Sequence, residues 1–417
     1  MLGAMTRVRF VAAGPVEEMP YRPWTWAILI STAAVLGLLL GAIGSLMFSR
    51  GPYAGQEYHL WRWQADNFSG SLFSLIGIGP DPDDAAGQAD LQRYFGITSQ
   101  IRAALNTDAP NEQFIDTLVS ERSAYENDVE RVIERYIDQA IGEAGLRESL
   151  PLFSAIKMTW PPVDFELTSP PQLLIRSPRR EIKRDGDTLL KNDLSLSDIE
   201  GIEAKADDDD TVSVVVAIGG IAAYPAIVRD DRTYDSLIQT ASHEWVHHYL
   251  AFYPLGKTWG SGGNSEPLNE TTADLAGREL ANLIRKDHKV TFPPNEDGRA
   301  PATAAPTIDF NVEMRNLRLQ VDALLADGKV DEAEQAMEER RLYFEQNGIY
   351  IRKLNQAYFA FYGTYAASPE SSNPIGAKID QVWQLTQNVG AFLRVMREVE
   401  SVPDLDAAIA RLQASQK

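Results

Sequence analysis

Between Ala27 and Phe48 the chain holds 22 residues without a charge, nearly all Leu, Ile, Val, Ala or Gly. As a helix this run matches a hydrocarbon core of roughly 30 Å. Trp24 and Trp26 stand at its entrance and Arg50 at its exit, as interfacial anchors do. The run is too long for the apolar region of a signal peptide, so it predicts a single N-terminal transmembrane anchor. Arg7, Arg9 and Arg22 precede it, against Arg50 and Arg62 shortly after. That balance predicts a cytoplasmic N-terminus and an extracytoplasmic remainder.

Beyond the anchor, Gly77 to Gly87 is a Gly/Pro/Asp-rich loop. From Asn111 to Ala144 apolar residues recur at three- and four-residue steps, predicting one long amphipathic helix. Pro161-Pro162 and Pro170-Pro171 then change the pattern. Short alternating runs at 164–167, 172–176 and 212–218 predict strands, with the acidic stretch Asp207 to Asp210 as a solvated hairpin turn. Gly219 to Pro225 suits a strand edge where another backbone can approach closely. Thr233 to Ser242 returns to helical spacing, with Asp230 or Asp231 as N-cap. After the Pro/Ala-rich linker at 293–306, two apolar stripes flank Asp327-Gly328-Lys329 and predict a helical hairpin. The residues from Ile379 onward are again helical. Helices, strands, then helices is the order of an α+β protein.

Composition narrows the chemistry. The chain has no cysteine, so any metal must be held by histidine and carboxylate. A net charge of −20 argues against a nucleic-acid partner. The one basic tract, Arg176 to Arg184, reads as a solvated edge strand or loop.

Three of the five histidines, His243, His247 and His248, fall within six residues. On a helix His243 and His247 share one face, their Cβ atoms about 5–6 Å apart, so both can reach one ion. Glu244, one step round from the first, is placed to touch a water without ligating; this is the logic of the H-E-x-x-H motif. His248 points about 100° away and reads as a packing residue. His59 and His288 have no partners in sequence and read as structural.

Further along stands Asn269-Glu270-Thr271-Thr272-Ala273-Asp274. With the histidine motif it resembles the two metal-binding helices of the gluzincin metallopeptidases, over roughly residues 230–284. The resemblance implies a zinc ion held by His243, His247 and Glu270, with a fourth position open. Glu244 would be the general base, and Asp274 would accept from the distal nitrogen of a ligand histidine. Glu266 is the rival third ligand, but it lacks an Asp one turn on. Gluzincins commonly complete the site with a Tyr or His oxyanion donor, and Tyr358, Tyr362 and Tyr365 are the candidates, predicted to share a helical face. The Asn- and Tyr-containing tract around them resembles the tail of bacterial aminopeptidase-like proteins. The Gly-rich stretch before the motif matches the edge strand along which zincins pair an extended peptide.

The expected organisation is a tail (1–23), an anchor (24–49), a mainly helical region (50–160), a zincin-like core (161–290) and a C-terminal helical region with the hairpin (291–417). The expected activity is zinc-dependent hydrolysis of a peptide or protein at a membrane, endopeptidase or aminopeptidase. A zinc hydrolase of another substrate and an inactive tethered scaffold are the alternatives.

Overall fold

A computed structural model describes residues 52–75, 84–107, 109–150, 153–294, 296–298 and 308–415. The expected anchor lies outside them. No helix among the described residues is long and apolar enough to cross a membrane.

Four helices come first: α1 (Leu60–Leu75), α2 (Asp84–Leu105), α3 (Glu112–Ser123) and α4 (Glu126–Glu143). The single helix expected over 111–144 is thus two, α3 and α4. The reason is that its stripe serves two different surfaces. Leu118 of α3 joins Ile97 and Ile101 of α2, whereas Val129, Val132, Ile133 and Ile137 of α4 enter the main core. At the junction Arg122 is buried against Asp230, which a straight helix would have to carry elsewhere.

Strands β1 (Glu148–Leu150) and β2 (Phe153–Met158) form a separate antiparallel pair. Next come β3 (Phe165–Thr168), β4 (Gln172–Pro178) and β5 (Asp187–Leu190). A helix unforeseen in the alternating pattern, α5 (Leu196–Ala206), follows. Its start is a reciprocal capping box between Ser195 and Asp198. The acidic stretch therefore joins a helix to a strand rather than two strands. There Asp208 Oδ1 accepts from the backbone N–H groups of Asp210 and Thr211.

Strands β6 (Thr211–Ala217), β7 (Gly220–Ile221) and β8 (Ala226–Arg229) complete two small sheets, ordered β5-β4-β6 and β3-β8-β7. In the second, β3 runs parallel and β7 antiparallel to β8. The outer edge of β3 is covered from α4, where Glu134 accepts from Phe165 N–H at 3.1 Å and Glu130 from Leu167 N–H at 2.6 Å.

The remaining elements are helices: α6 (Tyr234–Leu250), α7 (Pro254–Lys257), α8 (Ser265–Asp287), α9 (Phe310–Ala326), α10 (Val330–Gln346), α11 (Gln356–Tyr362), α12 (Ile375–Thr386), α13 (Val389–Met396) and α14 (Val402–Ser415). The whole is α+β, with more helix than sheet. One apolar core runs through α2, α4, α6, α8 and α12 to α14, so residues on both sides of position 161 share it. The hairpin α9–α10 has a core of its own around Met314, Leu317, Met337 and Phe344. Helix α11 lies on β4 and β6.

Candidate metal centre

Helix α6 starts at Thr233, whose hydroxyl accepts from Ser236 N–H at 3.2 Å; neither Asp230 nor Asp231 is the cap. Tyr234, Leu237, Ile238, Ala241, Trp245, Val246 and Tyr249 bury one side of the helix in the core. That side fixes its rotation, and His243, Glu244 and His247 then line a cavity of about 770 Å³. Helix α8 packs along α6. A Cβ on Gly277 would stand 2.9 Å from His243 Cα, so only glycine lets the helices approach this closely.

The approach brings Glu270 to the histidine pair. His243 Nε2 and His247 Nε2 lie 2.9 Å apart. Glu270 Oε2 is 3.4 Å from the first and 3.6 Å from the second. A tetrahedral ion with bonds of about 2.0–2.1 Å separates its ligands by about 3.3–3.4 Å, close to these three edges. Glu270 Oε2 is buried and takes part in no hydrogen bond. A buried carboxylate oxygen facing two imidazole nitrogens is an arrangement that a divalent cation would satisfy. The three residues fit the ion.

The neighbouring charges agree. Burial pushes the His243 imidazolium down, but the Glu270 and Glu244 carboxylates more than reverse it and lift it to about 9. Burial pushes Glu270 up, yet the imidazoles hold its carboxyl well below the usual range. Glu244 goes the other way: burial raises it, and the nearby imidazoles only partly oppose that. A carboxylate with raised proton affinity beside a metal site is suited to general-base work.

Strand β7 passes close over Glu244. A Cβ on Gly220 would lie 2.5 Å from Glu244 Oε1 and 2.7 Å from Ile227 O, which explains the glycine. Because β7 is the outer strand, its far edge pairs with no other strand among the described residues. Gly219 O accepts from Arg229 N–H, so by the antiparallel alternation Gly220 turns its own N–H and C=O to that edge. Ile218 to Ala222 line the cavity there.

The remaining sequence candidates separate cleanly. Glu266 faces Arg184 at 3.5 Å and lies outside the metal cavity. Asp274 lines the cavity and its charge raises His243, but it forms no hydrogen bond to either histidine. The distal nitrogen of His247 instead meets Asn269 Oδ1 at 2.9 Å. Asn269 stands in the same six-residue run and was legible only as a neighbour of the candidate third ligand.

The three tyrosines share no helical face, because α11 ends at Tyr362 and Tyr365 lies in the turn beyond. Tyr358 and Tyr362 pack against each other, ring centroids 4.5 Å apart, in the apolar cluster behind the cavity wall, and neither lines the cavity. Only Tyr365 reaches it, with its ring 6.2 Å from that of His243. Burial, then the charges of Glu270 and Glu244, keep the Tyr365 phenol protonated far above its ordinary range.

His248 Nε2 meets Ala223 O at 2.6 Å, and burial drives its pKa down to about 4, so it is a neutral packing residue. His288 stacks on Tyr136 at 3.8 Å. Trp259, not foreseen, packs edge-on against His247 at 5.5 Å on the cavity wall. No family model, curated protein or solved structure matches this chain.

Proposed function

We propose that the chain is a zinc-dependent hydrolase of peptide bonds. The observation that carries the reading is the meeting of His243, His247 and the orphaned Glu270 oxygen beside a buried Glu244 that ligates nothing. The same donor set can also hold iron for oxygen chemistry, but the adjacent general base favours hydrolysis.

Bound between these three residues, zinc would acidify water and polarise a carbonyl. Glu244 takes the proton of the attacking water, aided by its raised affinity, and returns it to the leaving amine. Tyr365 donates its hydroxyl proton as a hydrogen bond to the developing oxyanion. Asn269 holds the His247 ring at its distal nitrogen. The free edge of β7 supports a peptide rather than another acyl substrate, since it offers one N–H and one C=O at Gly220 for main-chain pairing. Anchoring by residues 24–49, with the catalytic region outside the cytoplasm, remains part of the proposal.

The test is metal content and cleavage of a peptide library by the purified chain and by Glu244→Gln. Both proteins should carry zinc, about one per chain. The variant should lose roughly 10²–10⁴-fold in turnover, in kcat more than in KM. A zinc-free wild type, or a Glu244→Gln protein with full turnover, overturns the reading.

A further inference from the structure

A second cavity, of about 660 Å³, adjoins the metal cavity, and Arg184 is the one residue that lines both. The two differ in charge. The metal cavity has Asp187, Glu244, Glu270 and Asp274 against Arg184, its one arginine or lysine, and the two histidines. Around the second, Lys183, Arg184, Arg318 and Lys378 face a single carboxylate, Glu266.

Arg318 is paired with Asp322 at 2.9 Å and Lys378 with Asp406 at 2.6 Å, both acids outside the wall, while Arg184 is shared between Asp187 and the wall's own Glu266. Lys183 is exposed and forms no ion pair among the described residues. Arg318 is largely buried, and burial lowers its pKa, so its charge is kept at a cost in solvation. Helices α8 and α12 also begin at this cavity, where Ser265 N–H donates to Gly262 O and Ile375 N–H to Asn373 Oδ1.

We propose that this second cavity is the subsite for an anionic segment of the substrate, carboxylates of a peptide whose scissile bond lies in the metal cavity. The inference rests on the peptidase reading for the identity of the ligand. Its ligand chemistry, however, comes from the cations alone. The carboxylates can be acidic side chains or a free C-terminus, and Arg184 lines both cavities.

The experiment uses the full chain with Glu244→Gln, to prevent turnover, and four fluorescent peptides. All have one apolar core and end in Glu-Glu-Glu or Gln-Gln-Gln, each as free acid or amide. Anisotropy should show tighter binding of the Glu-tailed pair, and the combined Lys183→Glu and Lys378→Glu changes should weaken it roughly 5- to 50-fold. Both lysines lie at the surface or partly exposed, and an unchanged circular dichroism spectrum confirms that the fold is intact. A difference only between free acid and amide, equally sensitive to the lysines, assigns the subsite to the C-terminal carboxylate. Equal binding of all four peptides, or indifference to both lysines, overturns the subsite. The wild type separates the two ideas: cleavage without tail preference leaves a peptidase with no anion subsite. Lysine-dependent binding of acidic tails without any cleavage leaves the subsite and removes the peptidase.

Discussion

Glu203 and Glu270 are both buried glutamates, 4% and 8% exposed, yet their surroundings differ in kind. Glu203 Oε1 accepts from Val215 N–H at 2.7 Å and from Arg352, and its other oxygen accepts from Arg352 at 3.0 Å and Lys353 at 3.4 Å. Every lone pair that needs a donor has one, and two cations balance the charge. Glu270 Oε2 has two imidazole nitrogens within 3.6 Å and no hydrogen bond. Its charge is held by the imidazoles rather than by a set of hydrogen-bond donors. The comparison teaches that burial alone does not mark a functional acid. What sets Glu270 apart is a deficit of donors at a place where two histidines that could ligate a metal converge.

The largest expected break in this comparison comes from Glu270→Ala. Zinc should fall from about one per chain to near none, as a three-ligand catalytic site cannot lose its only carboxylate. The metal-free variant should be less stable than the metal-free wild type at neutral pH, because the Glu270 carboxylate and the His243 imidazolium stabilise each other there. Elemental analysis and urea unfolding in chelator read the two halves; retained zinc would make Glu270 a bystander.

Glu203→Ala should do the reverse. It leaves zinc in place but strands Val215 N–H and two cations, costing about 3 kcal/mol, or roughly 150-fold in the folding constant. Burial pushes Glu203 up, but Arg352 and the Val215 N–H outweigh that and leave its carboxyl below the ordinary value. Its contribution is therefore present above the unfolded-state pKa and drains as the pH falls through the folded one. The gap between wild type and variant should narrow in acid; a gap independent of pH would mean that packing, not charge, accounts for the loss.

A smaller effect follows at the other end of the metal site. Asn269→Ala removes the partner of the His247 distal nitrogen and should weaken zinc binding roughly 10–100-fold while leaving turnover at saturating zinc close to normal. Competition with a chelator measures it, and Asp274→Asn alongside shows which of the two orients a ligand. An equal loss in Asp274→Asn would restore the role that the motif implied.

The smallest effect concerns a third buried acid. Burial first, then the charge of Glu166, raises Glu130 to about 8, although it accepts from Leu167 N–H. Its neutral form is the one the fold favours, so its stabilisation is present below the unfolded-state pKa and is lost as the pH rises through 8. Glu130→Gln keeps the acceptor and cannot ionise. It should be more stable than wild type by on the order of 1–2 kcal/mol above pH 8 and equal to it near pH 5. Urea unfolding at the two pH values decides; a variant weaker at both would show that the amide does not fit.

Local pattern carried much of the fold. The strands at 172–176 and 212–218, the hairpin α9–α10 and helix α6 are all where periodicity put them, within a residue or two. The failures share a cause. The break between α3 and α4 arises because one stripe meets two different partners, and nothing in the stripe says so. Helix α5 was hidden by strong strands on either side, although Ser195 and Asp198 carried its capping signature. The tyrosines were grouped on an assumed helix that stops at Tyr362.

What the sequence determined by itself is the pairing of His243 with His247 and the offset of Glu244. Their spacing lies within two turns of one helix, and helical geometry over that range needs no tertiary context. The tertiary structure decided everything that crosses between elements. The distance from Glu270 to the histidines depends on how closely α8 approaches α6, which Gly277 permits and the shared core enforces. Asn269 rather than Asp274 faces a distal nitrogen because of the rotation of α8, and Tyr365 alone reaches the cavity because the chain turns at Gly363. Such placements rest on packing summed over many distant residues, which no short run of sequence encodes.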